Sequence, residues 1–252
     1  MKLKFGLTTA LLLACTTGCT PDCKTDHQYN NEHLQRLLTT KECQGCDLWH
    51  ADLSGMNLAK ANLRQADLAG ARLDATDLRG ADLTGAKFKF YWTTNSISNP
   101  CSDLDIKASL VGAKLSYAQL EDAQLTRVDM SRTVLDHANL KGAEMLNVKL
   151  DYAQLKSAIL RDADLEVATL IGANLQGADL RKTNLMFAKF NQANLSGANL
   201  SGANLVGANL LGANLQAANL QGADLSGANL KEAQLDGANF SRAIMPDGKR
   251  HQ

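Results

Sequence analysis

From Leu110 to Phe240 a large apolar residue recurs at every fifth position, 27 times without a slip, and an Ala, Val or Thr stands two residues before each one. A second block in another register runs from Leu48 to Phe88 and adds nine units. Helices repeat near 3.6 residues and strands at 2, so a period of five belongs to neither. A chain with this spacing has to turn a corner every five residues.

The unit Ala203-Asn204-Leu205-Val206-Gly207 shows what each position must do. Its first and third residues are apolar, and alternation on a short extended segment points both to one side. The second is mostly Asn or Asp, the fourth and fifth vary, and all three face outward. Gly is frequent at the fifth, as at Gly112, Gly172 and Gly222, where a tight turn favours it. Interchange of Asn and Asp at the second position implies a hydrogen-bonding or solubility role. With Ala at most first positions, the interior holds one Leu-sized side chain per side and is packed solid.

The pattern A-(D/N)-L-x-x resembles the pentapeptide-repeat family over Cys46 to Phe88 and Ala108 to Met245. The resemblance implies an all-β fold, a right-handed quadrilateral β-helix with four repeats per coil. Thirty-six units then make about nine coils, a rod of roughly 45 Å at the sheet spacing. Residues 43–88 form the first repeat block, 108–245 the second, and 246–252 a tail beginning with Pro246 and Gly248, which stop the repeat. Apolar Leu34, Leu37 and Leu38 lie at helical spacing within 31–40, so residues 19–42 read as a tether and a helix capping the first coil.

Residues 1–18 read as an export signal: Lys2 and Lys4 at the start, an apolar stretch from Phe5 to Ala14, then small residues approaching Cys19. The apolar run is too short to span a membrane. It resembles a bacterial lipoprotein signal, which implies lipidation at Cys19, with Cys15 as the alternative. By the same resemblance the chain is expected at the outer membrane or in the periplasm, anchored through its lipid, or else secreted. Lipidation at Cys19 leaves Cys23, Cys43, Cys46 and Cys101, an even number able to pair in an oxidising compartment in any of three ways. In repeat register Cys46 takes the inward Ala position and Cys43 that of the preceding Leu, which favours a structural role over catalysis. A zinc site would need further ligands nearby.

Residues 89–107 interrupt the repeats. Phe88 and Leu110 are 22 positions apart, one 20-residue coil plus two, so the segment is either a distorted coil or a loop leaving a corner. Its Phe90, Tyr91 and Trp92 are unlike anything in the repeats and form one candidate interaction site; the bland reading is that they patch the break.

No Ser/His/acid or Cys/His set is defensible, since His27, His33, His50, His137 and His251 are scattered, and no phosphate-binding glycine loop occurs. The chain reads as a non-enzyme without cofactor or metal. The family's best-known activity, mimicking DNA to occupy a topoisomerase, needs a strongly acidic surface. Here 26 acids balance 26 bases, so this reading is disfavoured and no nucleic acid is expected as a partner. Outward positions carry Leu146, Val167, Met186, Phe187 and Val206, with Ile171 and Leu211 around the next corner, a candidate surface for an unknown protein partner or a homodimer. Another side stacks Lys141, Arg161 and Arg181, with Lys182 adjacent.

Overall fold

The computed structural model describes residues 29–88 and 107–251. It begins with helix α1, Asn31–Thr40, which starts where the sequence places it for a visible reason. The Asn30 side chain accepts from the amides of Glu32 and His33, satisfying two donors that have no partner within the helix. The helix stops at Lys41, whose left-handed φ of 60° lets its amide return to the Leu37 carbonyl. Leu37 is fully buried against the first coil, and the Asn30 amide donates to the Asp47 carbonyl at 3.2 Å. The expected cap is therefore in place.

After α1 the chain winds into a right-handed quadrilateral β-helix. The second residue of each repeat bridges in parallel to the residue 20 positions on, from Glu42↔Asn62 to Asp224↔Ile244. Bridges occupy 38 repeats, about nine and a half coils, because Glu42 and Ile244 each add one unit to those legible in the sequence. One layer shows the rule. The Leu175 amide donates to the Asn194 carbonyl at 2.7 Å, and the Asn194 amide to the Ala173 carbonyl at 2.9 Å. First and third residues thus bond towards the next coil while the second bonds towards the previous one.

Below the last coil the inward set is as expected: Leu110, Leu175, Leu200 and the other third-position residues are 0–1% exposed, and the Ala residues two positions before them are buried. Thr76 and Thr183 stand in Ala positions and bury their hydroxyls by donating to the Leu53 and Leu160 carbonyls of the coil below, at 2.9 and 2.8 Å. Met56, a larger side chain at a first position, is only partly buried.

Corners follow one design. The first-position amide donates back to the preceding Leu carbonyl, as from Ala178 to Leu175 at 3.0 Å, and the fifth residue has positive φ. A positive φ at that turn residue alone marks a type II turn. The fifth position varies in chemistry but its backbone does not: His50, Tyr117, Tyr152, Val167 and Phe187 adopt the same left-handed conformation as the glycines. The second position supplies another constraint. Its Asn or Asp Oδ1 accepts from the fourth-residue amide, as in Asp52 with Ser54 at 3.1 Å and Asn204 with Val206 at 3.2 Å. Only an Oδ1 is needed, which is why Asn and Asp interchange. Where the second residue is Gln154 or Thr169, an Asp one coil back substitutes: Asp136 accepts from Lys156 and Asp151 from Ile171.

Across the break the ladder steps by 37, from Arg72↔Ser109 to Lys87↔Gln124. Repeats ending at Phe88 and beginning at Ala108 are consecutive, with 17 residues more than an ordinary repeat between them. The ladder among the described residues leaves no place for a coil between Phe88 and Ala108. Residues 89–106, including Phe90, Tyr91, Trp92 and Cys101, lie outside those described.

Candidate functional site

The step of 37 determines which side chains share the corner where the chain breaks. Reading up that corner from the break gives Thr126 and Arg127, Leu146 and Asn147, Glu166 and Val167, Met186 and Phe187, then Val206 and Gly207. Five of the seven apolar residues singled out in the sequence therefore stack on the corner from which the extra residues depart. Leu146, Val167 and Phe187 are 37%, 38% and 52% exposed, and Met186 and Val206 are half-buried. Ile171 and Leu211 do not join them: they lie on the next corner, across Thr169, Lys189 and Asn209.

Packing along the corner is specific. A Cβ added to Gly207 would stand 2.5 Å from Cδ1 and Cε1 of Phe187, so that edge of the ring packs over the glycine. Tyr152 lies over Gly172 in the same way, beside Ile171. These two rings each reach one coil up onto a glycine, whereas Tyr117 meets His137 there. Val167 and Phe187 hold φ of 50° and 57°, a region costing an L-residue about 1–2 kcal/mol and rare for β-branched side chains. Nothing in the coil requires an apolar residue there, since Gln192 and Lys182 occupy equivalent positions.

The stacked bases prove largely neutralised. Lys141 Nζ is 2.8 Å from Glu121, and Arg181 grips Asp179 through Nε and Nη2 at 2.7 and 2.6 Å, while Arg161 approaches the same carboxylate at 3.7 Å. Hydrogen bonds from Arg181 hold the Asp179 carboxyl below its ordinary range. Asp77 is similarly lowered, to about 2, by its hydrogen bonds from Arg79. This side is a paired, solvated surface.

Of the cysteines considered for pairing, Cys43 and Cys46 are bonded to each other, fully buried beneath α1, with Arg36 Nη2 at 2.8 Å from the Cys46 sulfur. They replace the Leu and Ala that face each other across every ordinary corner. Cys15, Cys19 and Cys23 lie outside the described residues. The histidines are engaged structurally: His33 Nδ1 accepts from the Asp47 amide, His50 stacks on Trp49, and His137 stacks on Tyr117 at 4.9 Å. Among the described residues no three His, Cys, Asp or Glu side chains converge as metal ligands, and no helix is long and apolar enough to cross a membrane. Sequence reasoning passed over Tyr117 and Tyr152, the most exposed large hydrophobics among the described residues; their mark is bulk at a fifth position.

A family model described as pentapeptide repeats matches in 8 copies over residues 42–80, 61–90, 106–142, 149–186, 183–222 and 208–245. Among solved structures, the chain is similar to HetL, a pentapeptide repeat protein involved in heterocyst differentiation regulation from the cyanobacterium Nostoc sp. strain PCC 7120. The two are 30% identical over 89% of this chain and 100% of HetL, with a TM-score of 0.50. QnrB1, a plasmid-mediated fluoroquinolone resistance protein, is 17% identical over 74% of this chain and 90% of its own, at a TM-score of 0.34. A pentapeptide repeat protein of the Arabidopsis thaliana thylakoid lumen is 25% identical over 52% of this chain and 68% of its own, at 0.31. A search of the curated proteins gives no match. With the repeat model covering most of the chain and HetL aligned along its whole length, the chain belongs to the pentapeptide repeat family.

Proposed function

We propose that the protein is an exported, non-enzymatic binding module, held at the bacterial cell envelope by a lipid on Cys19, or on Cys15, and engaging a protein partner along the corner of Leu146, Val167, Met186, Phe187 and Val206. The observation that carries the binding site is the retention of Val167 and Phe187 in left-handed backbone, stacked in one column and exposed. Polar residues such as Lys182 and Gln192 bear the same backbone cost, so what sets this column apart is its exposed apolar bulk, which supports a role outside the coil. The envelope location rests on the first 19 residues alone. A relative involved in regulating differentiation is compatible with a protein that acts by binding.

The test places a photo-crosslinking residue at Leu146 and, separately, at Ser196 on the opposite corner, in the intact chain in bacterial cells. One discrete adduct from position 146, lost when Met186, Phe187 and Val206 are all changed to Ser, supports the reading. Equal labelling from both positions, or an adduct indifferent to the triple change, sinks it. Metabolic labelling with a fatty-acid analogue, abolished by Cys19→Ser or by Cys15→Ser, tests the anchor separately.

A further inference from the structure

The two ends of the rod are unlike. At the start, α1 covers the first coil. At the finish, the amides of Leu230, Leu235 and Phe240 and the carbonyls of Ala228, Ala233 and Ala238 have no hydrogen-bond partner among the described residues. Their counterparts one coil earlier are all satisfied, Leu210 by Asn229, Leu215 by Gln234 and Leu220 by Asn239. Leu230, Leu235 and Phe240 are correspondingly only partly buried. Three of the four sides thus present a bare parallel edge over an apolar layer, the arrangement that invites strand addition.

The fourth side shows what such an edge accepts. After Pro246 the tail turns through Gly248, at φ 81°, and runs back antiparallel, pairing Arg250 with Ile244. The Met245 amide donates to the Lys249 carbonyl at 2.8 Å and the His251 amide to the Ala243 carbonyl at 2.7 Å. These are the first-position carbonyl and third-position amide left bare on the other three sides. An antiparallel strand therefore satisfies a coil edge in this fold, through the two groups flanking each bridging residue.

A second copy turned end to end by a two-fold axis would present its own edge in that orientation. Its first-position carbonyls would meet third-position amides on the facing coil, and the reverse, on every side at once. The tail prevents this: it fills the layer above one side, with Arg250 and the Lys249–Asp247 pair, 3.0 Å apart, exposed on it. Because α1 closes the far end, such pairing would stop at two copies.

We propose that the C-terminal coil is a self-complementary docking surface for a second copy of this chain, and that residues 246–251 are the plug that blocks it. This goes beyond the corner reading and does not depend on it. Gly248→Val strains the turn of the tail, and since a Cβ there meets nothing within 4 Å, the coil itself is untouched. His251→Pro removes the donor to Ala243 and provides an independent second variant.

Sedimentation and amide exchange on the full chain and both variants are the readout. The account expects a monomeric parent with fast-exchanging Leu230, Leu235 and Phe240 amides, and variants of doubled mass in which those three amides are protected at least tenfold. Folded variants that stay monomeric overturn it. So does a dimer that leaves the three amides fast, or one abolished by the Met186, Phe187 and Val206 changes, since that dimer would form through the corner. A parent already dimeric through these amides also overturns the plug.

Discussion

Replacing Gly207 by Ala separates two costs that the structure lets us size. Gly197 and Gly207 share nearly the same backbone, φ 64° at both, but a Cβ at 197 meets nothing within 4 Å whereas one at 207 meets the Phe187 ring at 2.5 Å. Left-handed backbone costs Ala about 1–2 kcal/mol, offset by about 0.4–1 kcal/mol from the stiffer unfolded chain. Gly197→Ala should therefore cost about 1 kcal/mol. At 207 the ring must also retreat by about 1 Å to an ordinary carbon–carbon separation, which takes it off its rotamer for about 0.5–1.5 kcal/mol more. Phe187→Ser should abolish this extra, so the double-mutant cycle should give a coupling of about 1 kcal/mol. Urea unfolding measures each variant if the slope m is unchanged, and exchange of the Phe187 amide, which donates to the Val206 carbonyl, reads the same layer locally. Equal costs at 197 and 207, or no coupling, would refute the packing of the Phe187 ring on Gly207 and with it the continuity of the apolar corner.

Other expectations follow from the inward and outward assignment. Leu175→Asp loses about 1.5–3 kcal/mol of transfer energy and buries a carboxylate without a partner, for at least about 4 kcal/mol in all, while Ser201→Asp stays within about 0.5 kcal/mol; equal melting temperatures would contradict it. Val167→Gly should raise stability by up to about 1–2 kcal/mol while weakening the Leu146 crosslink, a trade read by melting and adduct yield side by side. For acid, the sign follows from the direction of the shifts. The Asp77, Asp179 and Glu121 carboxyls are lowered chiefly by hydrogen bonds from Arg79, Arg181 and Lys141, so their contribution is complete above the ordinary carboxylate value near about 4 and is lost as pH falls through their lowered values, about 2 for Asp77. Melting temperature should drop over that interval, less steeply at high salt because these pairs are exposed; a flat profile would show that they contribute nothing.

The core was legible because a large apolar residue holds every third position of the repeats and, Met56 aside, a small one stands two before it, and α1 because Asn30 and three leucines mark it. The corners were harder to read. At the fifth position the residue type ranges from Gly to Phe, which hides a backbone requirement common to all of them. Contacts such as Phe187 with Gly207, or Arg161 with Asp179, join neighbouring coils, and they emerge only when the coil length is laid over the chain. Chain length alone also left the break ambiguous, since 22 residues are equally one coil plus two or one repeat plus 17. Hydrogen bonding of Ser109 to Ala71 and Leu73 decides it. The paired bases illustrate a further limit: the carboxylate that neutralises Arg181 comes from Asp179, at a position the repeat explains by its bond to the backbone.

Everything said of the functional corner depends on that register. The most direct measurement is a set of NOEs from the backbone of Leu73 in the labelled full chain. Its amide donates to the Ser109 carbonyl at 2.7 Å, so contacts to the backbone protons of Ser109 and Leu110 are predicted. Contacts from Leu73 to Trp92 and Thr93, 20 positions on, would instead mean that the break contributes a coil, and would move Leu146, Val167 and Phe187 off the corner assigned to them.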